Sequence, residues 1–499
     1  MTRYITVLGT QSHAGKSTIV AALCRILKRR GYRVAPFKSQ NMSNNSWITR
    51  DGKEIGIAQA IQAFAAGVEP RAEMNPVLLK PKGGTTSQVV VLGKPAGDRK
   101  AGEYYESVDA MMKIATDALA RLAKDYDVIV IEGAGGAAEI NLYGRDIANS
   151  RMARAVQSPI LLVGDIERGG VFASLYGTLA LLPAEDRKLV KGMIINKFYG
   201  DKSLLGDGLQ ELERLTRVPV LGVVPYSELR LPSEDSVSID DKRPNEKSVE
   251  IAVIRFPLIS NFTDFEPLER VARVRYVPLD QPLGKPDVII LPGSKNTVHD
   301  LKALRESPLF KEIRRLSKAG VPVIGICGGY QMLGKAVRDS GVEGGRAEVV
   351  KGLGLLPVTT DFGAYEKRTC QVVKTVTGTG PVLDRIWGMK LLGYEIHMGQ
   401  TATPAPAFWD DGCVDESGTV IGTYMHGLFE NEPFRDALMY FACERKGIPY
   451  EPPVAAADPY DELADVVSGA LDVEAIIALI DGPARKPPRK RAASARAKN

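Results

Sequence analysis

Val321-Pro-Val-Ile-Gly-Ile-Cys-Gly-Gly-Tyr-Gln331 is a short apolar run that stops at Cys327 and continues through two glycines. A run of this length ending in glycine reads as a buried strand of an α/β sheet. Gly328 and Gly329 permit a sharp turn from strand into helix that a Cβ would obstruct. The turn holds the Cys327 thiol at the sheet's edge, beside backbone N–H groups that favour a thiolate and the oxyanion formed when it attacks a carbonyl. Alternatively, a small cysteine merely fills a tight strand-helix corner.

A second stretch decides between these readings. Thr419-Val-Ile-Gly-Thr-Tyr-Met-His426 is again an apolar strand delivering one polar group at its end, here an imidazole. A cysteine and a distant histidine, each at a strand terminus of one α/β domain, are the two parts of an activated thiol nucleophile.

The Gly325-Ile-Cys-Gly-Gly-Tyr-Gln331 elbow, the upstream Leu291-Pro-Gly-Ser294 and the late His426 resemble a class I glutamine amidotransferase domain. The resemblance implies hydrolysis of glutamine to release ammonia, with Cys327 as nucleophile and His426 as its base. It also implies that Gly293 and Gly328 supply oxyanion N–H groups and that Gln331 helps hold the substrate. Most members of that family carry His-x-Glu, whereas here Leu428 stands two residues after His426, so the usual triad lacks its carboxylate. In this the chain resembles the subgroup containing cobyric acid synthase and cobyrinic acid a,c-diamide synthase, in which the stretch Tyr394-Glu-Ile-His-Met-Gly399 also recurs. His397 in that stretch is read either as a neighbour of the glutaminase site or domain interface, or as a structural histidine.

Near the start, Tyr4-Ile-Thr-Val-Leu8 runs into Gly9-Thr-Gln-Ser-His-Ala-Gly15-Lys16-Ser17-Thr18 and then a helical segment. Strand, glycine loop, Gly-Lys-Ser and helix make a phosphate cradle. Backbone N–H groups hold phosphates, Lys16 reaches their outer oxygens and Ser17 holds Mg²⁺. Gly9, Thr10, Gly15, Lys16, Ser17 and Thr18 are therefore the expected ATP contacts. The long Gly-x₅-Gly-Lys-Ser spacing is similar to the loop of dethiobiotin synthetase; His13 is read as a loop residue. Asp127-Val-Ile-Val-Ile-Glu132-Gly is a buried strand closing on a carboxylate, which makes Glu132 the expected second Mg²⁺ anchor. Lys38 ends a short strand and is assigned with Asn196 to the ATP site, Asn196 standing where related P-loop folds meet the base. Asp165 is a further candidate for metal or substrate.

Lys38 also opens an uncharged polar stretch, Ser39-Gln-Asn-Met-Ser-Asn-Asn-Ser46, placed after a parallel strand where substrates bind in doubly wound sheets. This stretch resembles the cobyric acid synthase family, as do Met74-Asn-Pro-Val-Leu-Leu-Lys-Pro81 and Ser87-Gln-Val-Val-Val-Leu-Gly-Lys94. All three are read as substrate-side or ATP-side surfaces.

The chain has 499 residues, 44% of them hydrophobic, enough for two to four buried cores. Two α/β series with a polar stretch between them predict two doubly wound domains. Residues 1–230 form a P-loop-type ATP/Mg-binding domain, 231–248 a linker and 249–446 a class I amidotransferase-like domain. A C-terminal helical extension, 447–480, and a basic disordered tail, 481–499, complete the chain. Net charge is +5, but from Asp481 onward seven Lys/Arg face one Asp, so the excess belongs to the tail, where a solvated end is expected and no nucleic-acid partner. No run of 18 apolar residues and no secretory leader is present, so no membrane partner is expected. Five irregularly spaced cysteines form neither a disulfide framework nor a metal motif, which fits a reducing cytoplasm.

Together the two domains are read as one ATP-driven amide synthase that uses glutamine, ATP, Mg²⁺ and a carboxylate acceptor. The family resemblance implies that the acceptor is a corrinoid, adenosylcobyrinic acid a,c-diamide, amidated at carboxylates b, d, e and g in cobalamin biosynthesis. The a,c-diamide synthase is the nearest alternative. A regulatory P-loop ATPase with an inactive amidotransferase domain is the alternative from another class.

Overall fold

The computed structural model of the chain describes residues 2–83, 85–226, 239, 246–453 and 458–482. Apart from 239, 246–248 and 481–482, the expected linker and basic tail lie outside the described residues.

Six apolar runs of the N-terminal half pair into one parallel sheet. Its spatial order is Val220–Pro225, Val190–Phe198, Ile160–Asp165, Arg3–Gly9, Val128–Glu132 and Val34–Phe37. The inner strands are buried on both faces, which is why they read as continuous apolar runs without alternation. Helices Lys16–Arg29, Val108–Leu122 and Val171–Leu181 cover the sheet, bringing the loops after Gly9, Phe37, Glu132 and Asp165 to its carboxyl edge.

The C-terminal half repeats the plan. Strands Arg273–Pro278, Glu250–Arg255, Val288–Leu291, Val323–Ile326 and Val420–Thr423 lie parallel in that order, and Cys413–Val414 closes the edge antiparallel. A separate antiparallel sheet of Arg368–Thr375, Lys390–His397 and Met425–His426 stands beside it and carries His397 and His426.

Two arrangements were not foreseen. Helices Pro459–Ala470 and Val473–Asp481 cross back to the first half, where Leu463, Val467, Ile476 and Ile480 join the core under helix Lys16–Arg29. Arg25 and Arg29 pair there with Asp458, Asp461 and Asp465. The polar stretch 39–46 is not an open loop. It folds into short strands, and Asn45 and Ser46 accept hydrogen bonds from Phe262, Asn261 and Tyr394 of the second half. Buried amides demand partners, and the facing backbone supplies them.

Candidate active site

Strand Val323–Ile326 ends at Cys327, whose φ of 51° and ψ of −108° set a strained corner before helix Gly328–Leu333. The two glycines are sterically required. A Cβ on Gly329 would lie 1.9 Å from the Leu291 carbonyl oxygen, and one on Gly328 would lie 2.9 Å from the Ser294 nitrogen. The Cys327 N–H donates to the Thr423 carbonyl of the neighbouring strand at 2.8 Å, so the elbow is fixed to the chain that leads to His426.

His426 is 1% exposed. Its Nδ1 lies 2.6 Å from Oδ2 of Asp264, whose Oδ1 accepts the Gly427 N–H at 3.0 Å. The carboxylate therefore holds the proton on Nδ1 and leaves Nε2 as the atom that serves the thiol. Nε2 is buried and has no hydrogen-bond partner among the described residues. Tyr394 stacks on the imidazole at 5.2 Å and donates its hydroxyl to the Ser46 carbonyl. Burial alone would lower the imidazole's pKa. The charge and hydrogen bond of Asp264, with Cys327 alongside, outweigh burial and raise it from 6.5 to about 10.

Asp264 thus occupies the role that the missing His-x-Glu carboxylate leaves open. It comes from the short 3₁₀ turn Phe262–Phe265 and lies 162 residues before the histidine in sequence. One sign was readable: an aspartate between Phe262 and Phe265, just after a buried strand.

Cys327, His426, Gln331, Ser294 and His397 line one cleft. Gly293, bridged to Ser260, stands at its wall, where a Cβ would come within 3.4 Å of His426 Cε1. Gln331 is held in place by Thr297, which donates to its Oε1 at 2.8 Å, and by Tyr424, which accepts from its Nε2 at 3.2 Å. His397 stacks on Tyr424 at 3.7 Å and donates Nδ1 to the Gly399 carbonyl, so it is both a packed histidine and a cleft residue.

The glycine loop lies at the first sheet's carboxyl edge. Gly15 has a φ of 94°, and a Cβ there would strike the Asn196 amide nitrogen, which donates to the Ala14 carbonyl at 3.0 Å. Asn196 therefore braces the loop. Lys16 Nζ donates to the carbonyls of Gln11 and Gly135 at 3.0 and 2.9 Å, curling over the loop it belongs to. Gly9 packs a Cβ's width from Lys16, Thr10 bonds through its N–H to the Val163 carbonyl, and Thr18 is exposed in the first helical turn.

Glu132 is fully buried; its Oε1 accepts from Ser17 Oγ at 2.7 Å and from Lys38 Nζ at 2.8 Å, and its Oε2 accepts from Gln62. Ser17, Glu132 and Lys38 are thus brought together. Asp165 is not part of this group: it pairs with Lys197 at 2.8 Å and accepts the Glu167 N–H. Among the described residues no cluster of three or more His, Cys, Asp or Glu is placed to hold a metal.

Comparison with known proteins finds two family matches. Residues 5–239 match the CobQ/CobB/MinD/ParA nucleotide binding domain, and residues 250–434 match the CobB/CobQ-like glutamine amidotransferase domain. A probable cobyric acid synthase of Methanocella arvoryzae is 72% identical over 482 residues, covering 96% of this chain and 99% of that protein. The chain belongs to the cobyric acid synthase family. A second member, from Methanosarcina barkeri, is 60% identical over 480 residues, covering 95% of this chain and 99% of its own length. Another, from Methanoregula boonei, is 55% identical over 478 residues, covering 95% and 99%. As a family member with both domains, the chain is an ATP-dependent, amide-forming ligase. Among the described residues no helix is long and apolar enough to cross a membrane.

Proposed function

We propose that this cobyric acid synthase family member amidates carboxylates b, d, e and g of adenosylcobyrinic acid a,c-diamide, drawing ammonia from glutamine. The observation that carries the two-site reading is the Asp264–His426 pair at the Cys327 elbow, with the phosphate-loop group on the other sheet. The relatives' names support a cobyric acid synthase and say no more; the substrate and the four positions rest on the family resemblance. The proposed division is 1–230 and 249–446, with the two helices of the 447–480 extension packing on the first unit.

At the cleft, His426 already holds the thiol's proton as imidazolium, and the Cys327 thiolate attacks the glutamine amide carbon. Backbone N–H groups of Gly293 and Gly328 are assigned to the resulting oxyanion. The imidazolium returns its proton to the leaving nitrogen and ammonia departs. Water, deprotonated by the same Nε2, then hydrolyses the thioester to glutamate. At the phosphate loop the acceptor carboxylate attacks the γ-phosphorus of ATP and expels ADP. Ammonia then attacks the acyl carbon and expels phosphate. A free carboxylate has no adequate leaving group at neutral pH, so the phosphoryl step is necessary, and Lys16 and Lys38 offset its charge.

Ser17 Oγ and Glu132 Oε1, 2.7 Å apart, form a hard-oxygen pair of the kind Mg²⁺ takes with phosphates and water filling the remaining positions. These two residues would hold the ion, which when bound supplies neutralisation of phosphate charge.

The test is mass spectrometry of adenosylcobyrinic acid a,c-diamide incubated with the protein, ATP and glutamine. Four successive losses of about 1 Da, one per carboxylate converted to amide, are the expected outcome. Amidation of a cobyrinic acid lacking the a and c amides would favour the a,c-diamide synthase, and no change with any acceptor would favour a regulatory ATPase.

A further inference from the structure

Three lysines meet in the cleft beside Cys327, and they come from both halves of the chain. Lys80 is buried; its Nζ pairs with Glu54 Oε1 at 2.5 Å and donates to Ser46 Oγ at 2.8 Å. Lys367 pairs with the other oxygen of the same carboxylate. Lys295 Nζ donates to Gln88 Oε1 at 2.7 Å and has no carboxylate within ion-pair distance among the described residues. Glu54 is 0% exposed. Two lysines thus pair with one buried carboxylate and Lys295 stands beside them, and Lys80, Lys295, Lys367 and Gln88 all line the cleft that holds Cys327 and His426.

A surplus of positive charge withdrawn from water is costly unless an anion completes it. The lysines themselves register the surplus. Burial, then the charges of the neighbouring lysines, depress Lys295 well below the usual ammonium range, and burial depresses Lys80. Glu343 lines the same cleft but does not cancel the surplus. It accepts the Val298 N–H at 3.2 Å, makes no ion pair with Lys295 among the described residues, and is raised by burial to about 7.

We propose that Lys295, supported by Lys80 and Lys367 around Glu54, forms a carboxylate subsite that binds the α-carboxylate of glutamine at the Cys327 cleft. The proposal rests on the glutaminase reading of Cys327. Glutamine is favoured over the acceptor because the lysines share a cleft with the thiol, and because Lys295 follows Gly293, at the His426 wall, by two residues. The stretches around Lys80 and Gln88, which the sequence suggested as acceptor or ATP surfaces, thereby serve the glutamine site. A further consequence is that the first half completes the binding site of the second, so glutamine affinity depends on how the halves seat against each other.

The test compares glutamine with 4-aminobutanamide, which keeps the amide and the amine and lacks the α-carboxylate. Hydrolysis of each is followed with the full-length protein and with Lys295→Met and Lys295→Gln, whose folding is checked by circular dichroism. The expected result is a roughly tenfold to hundredfold rise in KM for glutamine with a much smaller change in kcat. The wild-type preference in kcat/KM for glutamine over 4-aminobutanamide should fall by a similar factor. An unchanged preference in a folded variant would overturn the subsite, as would a rise in acceptor KM with glutamine KM unmoved. A Cys327→Ser protein that hydrolyses glutamine at the wild-type rate would remove the glutaminase reading and this inference with it, an outcome distinct from the Lys295 results.

Discussion

Asp264 Oδ2 lies 2.6 Å from His426 Nδ1, and the same carboxylate accepts the Gly427 N–H through its other oxygen. Two anchor points fix the carboxylate against the imidazole, so the ring can neither rotate nor exchange tautomers without breaking a buried ionic hydrogen bond.

Asp264→Asn should therefore keep the fold and lose glutamine hydrolysis by about 10²–10⁴-fold, because the amide no longer dictates the tautomer. The pH dependence gives a second reading. With Asp264 the imidazolium persists to about pH 10, against 6.5 for an ordinary histidine. A folded-state pKa above the unfolded one stabilises fully below about pH 6.5, and that contribution disappears as pH rises through about 10. Removing Asp264 removes the raising influence. The alkaline limb of residual hydrolysis should move down, and the stability gap between wild type and mutant should be widest below pH 6.5 and close toward pH 10. A mutant whose limb stays where the wild type has it would show that another group sets the imidazole's charge.

Glu132→Gln is nearly isosteric, yet the structure argues against its being harmless. Glu132 is the buried counter-charge of Lys38, and losing it strands an ammonium whose side chain is 4% exposed. The cost should be about 3–5 kcal/mol. Adding Lys38→Met to Glu132→Gln should recover most of that stability in denaturant melts without recovering ATP-dependent amidation. Recovery of activity together with stability would mean that the pair is structural and that the phosphate chemistry lies elsewhere.

What the sequence made legible follows from how far each interaction reaches along the chain. Cys327, Lys16 and Ser17 stand in local strand-turn-helix patterns, where glycine positions and apolar runs suffice to locate them. His426 was found because its strand has the same form. Asp264 was missed because its role depends on a contact across 162 residues, made from a turn with no periodicity of its own. The stretch from Ser39 to Ser46 was read as a substrate-side or ATP-side surface because its uncharged amides and hydroxyls follow a parallel strand. In the fold several of those groups are satisfied within the first half, as Ser39 is by the Ile147 carbonyl and Asn41 by Gln59, while the Asn45 amide oxygen and the Ser46 carbonyl accept from Phe262, Asn261 and Tyr394 of the other half, which no local pattern reveals. The Glu54 cluster was invisible for the same reason: its members are charged residues from separate strands and loops, each unremarkable alone.

The returning C-terminal helices give a prediction about stability at a distance. Ile476 is 1% exposed and packs in the core beneath helix Lys16–Arg29, more than 400 residues earlier in the chain. Ile476→Ala should cost about 2–5 kcal/mol. The loss should appear in the unfolding of the ATP-binding half, with a lowered melting temperature that saturating ATP partly restores. If thermal unfolding followed by hydrogen exchange showed instead that only the amidotransferase sheet had weakened, the helices would belong to that half.

Cys327→Ser tests the separation of the two chemistries. The exchange replaces one atom at a corner whose φ of 51° is set by the Thr423 contact and the following glycines, not by the side chain, so both halves should stay folded. A hydroxyl is a far weaker nucleophile than a thiolate paired with imidazolium, and glutamine-dependent turnover should fall by several orders of magnitude. On the proposed reading, acyl-phosphate formation belongs to Lys16, Ser17 and Glu132 and makes no use of the sulfur. Ammonium added at alkaline pH, where free ammonia is plentiful, should therefore still support ATP-dependent amidation. His426→Ala should share the phenotype, and the double mutant should be little worse than either single one, because residues that act as one unit do not add. Retention of the glutamine-dependent rate by Cys327→Ser would place the nucleophile elsewhere. Loss of the ammonium-dependent rate in a folded mutant would show that the two centres are not chemically independent, and the flow of ammonia from one to the other would then need a different account.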